Sequence, residues 1–120
     1  MGLRIAMLAP PWIPIPPRGY GGVERVIDLL TEELVRRGHE VTLFASPGTR
    51  SRARVRSVLG HPQPDKIEMS LYAADHVSAA FDGIAQGAPS GNAYDIVHDH
   101  SGFTAFAFAR SPWALLVLAF

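Results

Sequence analysis

The sequence predicts a doubly wound α/β fold around a mainly parallel sheet, and three observations predict it. Short apolar runs rich in branched side chains stand at 3–9 and 40–45, the pattern of strands buried on both faces. An amphipathic helical pattern over 23–37 separates them, making a strand–helix–strand unit. The same alternation continues to the end of the chain, with a helix over about 70–86 and strands at 94–98 and 114–120.

Each element has a local reason. LRIAMLA at 3–9 is bounded by Pro10 and Pro11, which end it. Residues 10–22, PPWIPIPPRGYGG, hold five prolines and three glycines, so they form a long semi-rigid loop rather than a helix. Over 23–37, Val23, Val26, Ile27, Leu30 and Leu34 are expected to form one buried stripe, with charged residues opposite. Glu32–Arg36 and Glu33–Arg37 are expected i,i+4 pairs, and Gly38 is the expected residue just past the helix end. EVTLFA at 40–45 is the second strand, and a right-handed crossover makes it parallel to the first.

The middle of the chain is less patterned. Arg54 to Leu59 reads as a short edge strand, and the even spacing of four arginines from Arg50 to Arg56 reads as a solvated surface, with phosphate binding as the alternative. Residues 87–93 form a connector, and 102–110 a short helix. His39 is expected to serve the turn after Gly38. His61 has no evident partner, and Asp75–His76 reads as a surface pair.

Composition narrows the function. The chain has 120 residues, one domain's worth. Eleven basic and eleven acidic side chains give zero net charge, so nucleic acid is not the expected partner. There is no cysteine, which excludes disulfides, thiolate metal sites and cysteine nucleophiles. No apolar stretch approaches the roughly 20 residues of a membrane span, and no signal peptide is evident. A cytoplasmic location is expected.

In open parallel sheets ligands bind beyond the carboxyl ends of the strands. That rule points to the loop 10–22, the loop after Ala45 and the segment 98–102. Gly19, Gly21 and Gly22 precede the helix that starts at Val23, where bare amides and the positive helix end can receive a phosphate or a sugar oxygen. The pattern G-Y-G-G-V-E lacks the third glycine of a dinucleotide fingerprint, because Glu24 stands there. It also lacks the Gly-Lys-Ser/Thr of a phosphate loop. The second strand ends in Ala45–Ser46–Pro47, with no acid for a ribose, so a nicotinamide reductase is disfavoured. In D-I-V-H-D-H-S, His98 and His100 share one face of a strand, and Asp95 lies at its start. Two histidines are too few ligands for a metal. One can cap the strand end, the other be partly buried, or one can contact a polar ligand. Trp12 either packs over the glycine loop or lines a groove. No G-x-S-x-G elbow supports a serine hydrolase.

The run RIAMLAPPWIPIPPRGYGGVERVIDLLTEELVRRGHEVTLFAS, with YDIVHDHS further on, closely resembles the N-terminal domain of family 4 retaining glycosyltransferases. The likeness is strong over 3–46, good over 94–101 and loose between, about half of the chain. It implies the N-terminal half of a GT-B fold, with a Rossmann-like doubly wound, mainly parallel sheet. It further implies an enzyme of two such domains that transfers a hexosyl group from a nucleotide-sugar, such as a UDP- or GDP-sugar, with no other cofactor and no metal. By the resemblance, Gly21 and Gly22 approach the donor's phosphate or sugar. Tyr20, Glu24, His98, His100 and Ser101 are the candidate substrate-binding residues, the acceptor being a glycan or small molecule, and no catalytic acid or base is assigned.

The chain departs from the family pattern after Arg110. A threonine–histidine–glycine-like motif is expected there, but SPWALLVLAF follows instead. Residues 1–120 are therefore expected to be a single incomplete N-terminal domain, without the C-terminal donor-binding domain and inactive alone. The alternative is a non-catalytic α/β module that binds or self-associates through its cleft face.

Overall fold

The computed structural model describes residues 2–57, 70–101 and 115–118. The helix expected at 102–110 lies outside the described residues, as do His61 and the end of the edge strand expected to run to Leu59. Five strands, β1 (Arg4–Leu8), β2 (Glu40–Phe44), β3 (Arg54–Arg56), β4 (Ile96–Asp99) and β5 (Leu115–Leu118), form one sheet in the order β3-β2-β1-β4-β5. Every neighbouring pair is parallel. Helices α1 (Gly22–Arg36) and α2 (Ser70–Gln86) connect β1 to β2 and β3 to β4. This is the doubly wound, Rossmann-like architecture that the alternation predicts.

β1 lies in the centre, which explains its unbroken apolar composition. Ala6 and Leu8 face one side with Phe44, Val77, Ala80, Phe81, Ile84 and Val97. Ile5, Met7 and Ala9 face the other with Ile27, Val41, Leu43 and Ala45. A strand buried on both faces cannot alternate apolar with polar side chains. α2 closes against β2 with Gly83 at the contact. A Cβ there would stand 2.7 Å from the Arg56 guanidinium and 3.0 Å from the Phe44 ring.

α1 corrects the expected stripe. Its buried positions are Glu24, Ile27 and Thr31, with Leu30, Leu34 and Val35 partly buried against the sheet. Val23 and Val26 are about half exposed, at 48% and 56%, and Leu29 reaches 65%. The helix is rotated so that residues 24, 27, 31 and 34 face the sheet, and two of the five stripe positions turn to solvent. Glu24 and Thr31 are polar residues in the packed face, which hides the true stripe from a hydrophobicity pattern.

Of the two expected ion pairs, Glu33–Arg37 forms and Glu32–Arg36 does not. Glu33 accepts from both Arg36, at i+3, and Arg37, at i+4. Glu32 turns away and accepts from Ser51 Oγ at 2.9 Å and from the Arg52 N–H at 3.0 Å. A backbone donor and a hydroxyl outcompete the expected Arg36 pairing and tie α1 to the approach to β3. The end of α1 is as the sequence indicates. Gly38 has φ 91°, its N–H donates to the Val35 carbonyl, and the His39 N–H donates to the Leu34 carbonyl. These two bonds form a Schellman cap. His39 serves the turn, since its Nδ1 accepts from the Leu3 N–H at 3.0 Å.

At the amino ends of the strands, Asp95 accepts the Arg4 N–H at 2.7 Å and pairs with its guanidinium at 3.1 Å. Asp95 is thus a structural clip at the edge opposite the site.

Candidate functional site

The carboxyl ends of β1 and β2 carry two loops that the backbone binds together. The Arg50 N–H donates to the Ile15 carbonyl at 2.7 Å, and the Ile15 N–H donates to Thr49 Oγ1 at 3.0 Å. Ile15 itself is buried at 1% exposure, and the Ile15–Pro16 peptide is cis. The proline loop is therefore anchored at its middle, and its second half runs to the start of α1.

Between the loops lies a cavity of about 560 Å³. Pro14, Pro16, Pro17 and Pro47 supply much of its wall, Arg18 and Arg50 line it, and Tyr20 stands at it with its ring almost fully exposed. Two of the three places indicated by the sheet-edge rule thus meet in one cavity. The arginine run contributes through Arg50 alone. Arg56 instead lies over the Phe44 ring at 5.4 Å, a structural cation–π contact.

The glycine pair stands at the strand-to-helix junction, but its two members differ. Gly21 is the N-cap residue and is buried. A Cβ at Gly21 would meet Pro17 Cβ at 2.8 Å, Ile13 Cδ1 at 2.9 Å and Glu24 Oε1 at 3.2 Å. Gly22 opens the helix with nothing within 4 Å of its Cβ position. No side chain caps this end, and the first helical bond is from the Arg25 N–H to the Gly21 carbonyl. The N–H groups of Gly22, Val23 and Glu24 precede that first bond and lack intrahelical acceptors. Glu24 is 7% exposed and lies in the first turn, where its charge suits the helix dipole. The same charge disfavours a second full anion at this end and favours a polar, hydroxyl-bearing group.

The third place is the end of β4. His98 is in register with Met7, and its ring centroid lies 4.3 Å from that of His100. The two imidazoles share a face, as their spacing predicts. Burial lowers the pKa of both, and the His98 charge helps to push His100 down to about 4. Both rings are therefore neutral at pH 7. His100 Nε2 is buried without a partner among the described residues. Asp99 points to the opposite face, fully buried. Its Oδ1 accepts the Ser101 N–H at 3.0 Å and the Ser101 hydroxyl in a short bond, and Oδ2 has no partner among the described residues. Burial raises its pKa. Ser101 is thus occupied by Asp99.

His76 is not a surface residue. It is 1% exposed on α2, and its Nε2 donates to the Ala9 carbonyl at 2.8 Å. Burial lowers its pKa, with the Ala9 bond acting in the opposite direction. Its place on the apolar face of α2 (Ala73, Val77, Ala80) was the sequence signal that it is buried. Among the described residues no group of three or more histidines, acids or cysteines is placed to hold a metal, and no helix is long and apolar enough to cross a membrane.

Known proteins supply the remaining comparison. A search of the curated proteins finds no match. Among solved structures, the chain is similar to AviGT4, a glycosyltransferase involved in avilamycin A biosynthesis, with a TM-score of 0.66 and 25% identity. The alignment covers 97% of this chain and 31% of that one, so the chain spans about a third of that protein's length. The family model described as Glycosyltransferase Family 4 matches residues 20–118, from Tyr20 beside the glycine pair through β5. With that match over most of its length and a parallel sheet of the corresponding design, the chain belongs to glycosyltransferase family 4.

Proposed function

We propose that this chain forms the acceptor side of a glycosyl-transfer site. The acceptor sits at the carboxyl edge of the sheet, and the open amides at Gly22 meet a nucleotide-sugar such as a UDP- or GDP-sugar. A second Rossmann-like domain, completing a GT-B arrangement, holds most of that donor and supplies the groups that stabilise the departing diphosphate. The transferred group is a hexosyl unit. Residues 1–120 are inactive without that domain, and a cytoplasmic setting belongs to the same reading.

The observation that carries this is the uncapped start of α1 beside a ready-made cavity. A Cβ at Gly22 would meet nothing within 4 Å, while the cavity is walled by the loops that follow β1 and β2. In this reading a sugar oxygen of the donor, rather than its charged phosphate, approaches those amides. Glu24 beside them suits a hydroxyl-rich partner, since a carboxylate accepts hydrogen bonds from sugar hydroxyls. In this reading His98 and His100, neutral at pH 7, exchange hydrogen bonds with a polar ligand rather than neutralise a charge.

Isothermal titration with UDP- and GDP-sugars tests the division of labour. The expected result is binding weaker than about 1 mM by this chain alone. Donor binding in the micromolar range would contradict it. A second reading, self-association, draws on a different observation: Val23, Val26 and Leu29 expose apolar surface along α1. Sedimentation over a range of concentrations discriminates. A concentration-independent monomer removes support for self-association.

A further inference from the structure

We infer that the cavity between the proline loop and the Pro47–Arg50 loop takes an acceptor that carries a phosphate or carboxylate on a flat, largely apolar body, with Arg18 and Arg50 holding the anionic group. This rests on the acceptor-side reading and names the chemistry of that acceptor.

The charge of the lining is the first reason. Two arginines line the cavity and no acidic residue does. The chain has as many acids as bases, so the imbalance is local. Several other arginines are occupied: Arg4 by Asp95, Arg36 and Arg37 by Glu33, and Arg56 by the Phe44 ring. The side chains of Arg18 and Arg50 have no hydrogen-bond or ion-pair partner among the described residues. Those of Arg52 and Arg54 likewise have none among the described residues, but they do not line the cavity. Glu32, the acid bonded nearest in sequence to Arg50, spends its carboxylate on Ser51 and Arg52. A guanidinium presents a planar fork of donors that matches a carboxylate or phosphate, and a pair of them focuses a positive field into a concave site.

The rest of the wall is the second reason. Pro14, Pro16, Pro17 and Pro47 offer flat apolar surfaces and no N–H donors. Such a wall takes the face of a ring and leaves polar recognition to the arginines. The size, about 560 Å³, suits a ligand of one or two rings with its anionic group.

The third reason is that the site is already assembled. The Ile15 N–H bond to Thr49 Oγ1 and the Arg50 N–H bond to the Ile15 carbonyl hold the walls together, and the rigid prolines leave little entropy to lose on binding.

Calorimetry on the full chain in low salt tests the assignment with four probes: phenyl phosphate, glucose 6-phosphate, inorganic phosphate and phenyl glucoside. An organic phosphate is expected to bind at least about fivefold more tightly than inorganic phosphate, and Arg18→Gln and Arg50→Gln are each expected to weaken it about tenfold. The neutral glucoside should respond less than about twofold to either substitution. Phenyl phosphate is expected to bind more tightly than glucose 6-phosphate, and the reverse order overturns the flat apolar body. Equal binding of inorganic phosphate, an equal response of the glucoside, or no detectable binding of either organic phosphate overturns the proposal. Both arginines are exposed, and thermal melting checks that the variants stay folded. The donor titration is independent. Micromolar donor binding overturns the acceptor-side reading without touching the arginine result, and loss of arginine dependence overturns the cavity assignment without touching the donor result.

Discussion

His76 Nε2 lies 2.8 Å from the carbonyl oxygen of Ala9, joining α2 to the carboxyl end of the central strand where the proline loop begins. Both residues are buried, so the bond satisfies an acceptor that water does not reach. His76→Leu keeps the volume and removes the donor. A loss of about 1–3 kcal/mol in unfolding free energy is expected, the usual cost of a buried group left unpaired. Urea unfolding measures it, and an unchanged midpoint would show that the bond contributes nothing.

The pH dependence of stability follows from three histidines. His76, His98 and His100 all have pKa values lowered by burial from 6.5, His100 to about 4. The unfolded chain therefore binds protons that the folded chain does not. Their contribution is fully present above 6.5 and is lost as the pH falls toward 4. Unfolding free energy should decline across that window, and His100→Gln should make the decline shallower. An unchanged slope between pH 7 and 4.5 in His100→Gln would contradict this.

Asp99 titrates with the opposite sign. Its pKa is raised by burial, so the folded state holds its proton more tightly than the unfolded state. Its contribution is greatest below 3.8 and diminishes as pH rises through the folded value. Asp99→Asn keeps an oxygen for the two Ser101 donors and removes the buried charge, so stability at pH 7 should stay within about 1 kcal/mol of the parent. Asp99→Ala loses both bonds and should cost about 1–3 kcal/mol. A ranking with Asn below Ala in thermal melts would refute the account.

The two junction glycines should separate in stability. Gly21→Ala forces a methyl to within 3 Å of Pro17 and Ile13 and is expected to cost about 1–3 kcal/mol. Gly22→Ala places it in open space and should be neutral within about 0.5 kcal/mol. In an enzyme completed by a donor-binding domain, Gly22→Ala should still lower transfer activity, because the methyl fills space at the start of α1 that the proposed donor approach uses. Equal melting temperatures for the two variants would show that Gly21 is not enclosed.

The rotation of α1 makes a paired prediction. Ile27→Ala empties a fully buried site and should cost about 2–5 kcal/mol, whereas Val26→Lys, on a half-exposed position, should change stability by less than about 0.5 kcal/mol. Comparable losses at both positions would restore the stripe expected from hydrophobic spacing.

How much of the molecule can be read without coordinates depends on the range of the physics. The strand runs, the helix limits, the Gly38 cap and the parallel pairing of β1 with β2 follow from residues close in sequence, and all appear in the fold. The junction of Gly21 and Gly22 with α1 was legible for the same reason. The cavity was legible only as two separate loops, because the bonds joining Ile15 to Thr49 and Arg50 span more than thirty residues. Arg18 carried no spacing signal, and Arg50 was indistinguishable from its solvated neighbours.

By itself, the sequence determined the alternation of strands and helices, and with it the sheet edge to which the candidate site was assigned, because backbone propensity, turn chemistry and the short range of helical hydrogen bonds act locally. Only the tertiary structure decided which face of α1 turns inward, that His76 is buried on Ala9, that Glu32 leaves Arg36 for Ser51 and Arg52, and that Gly21 is enclosed while Gly22 is open. Those outcomes are set by competition among groups distant in the chain for the same buried space and the same hydrogen-bond partners.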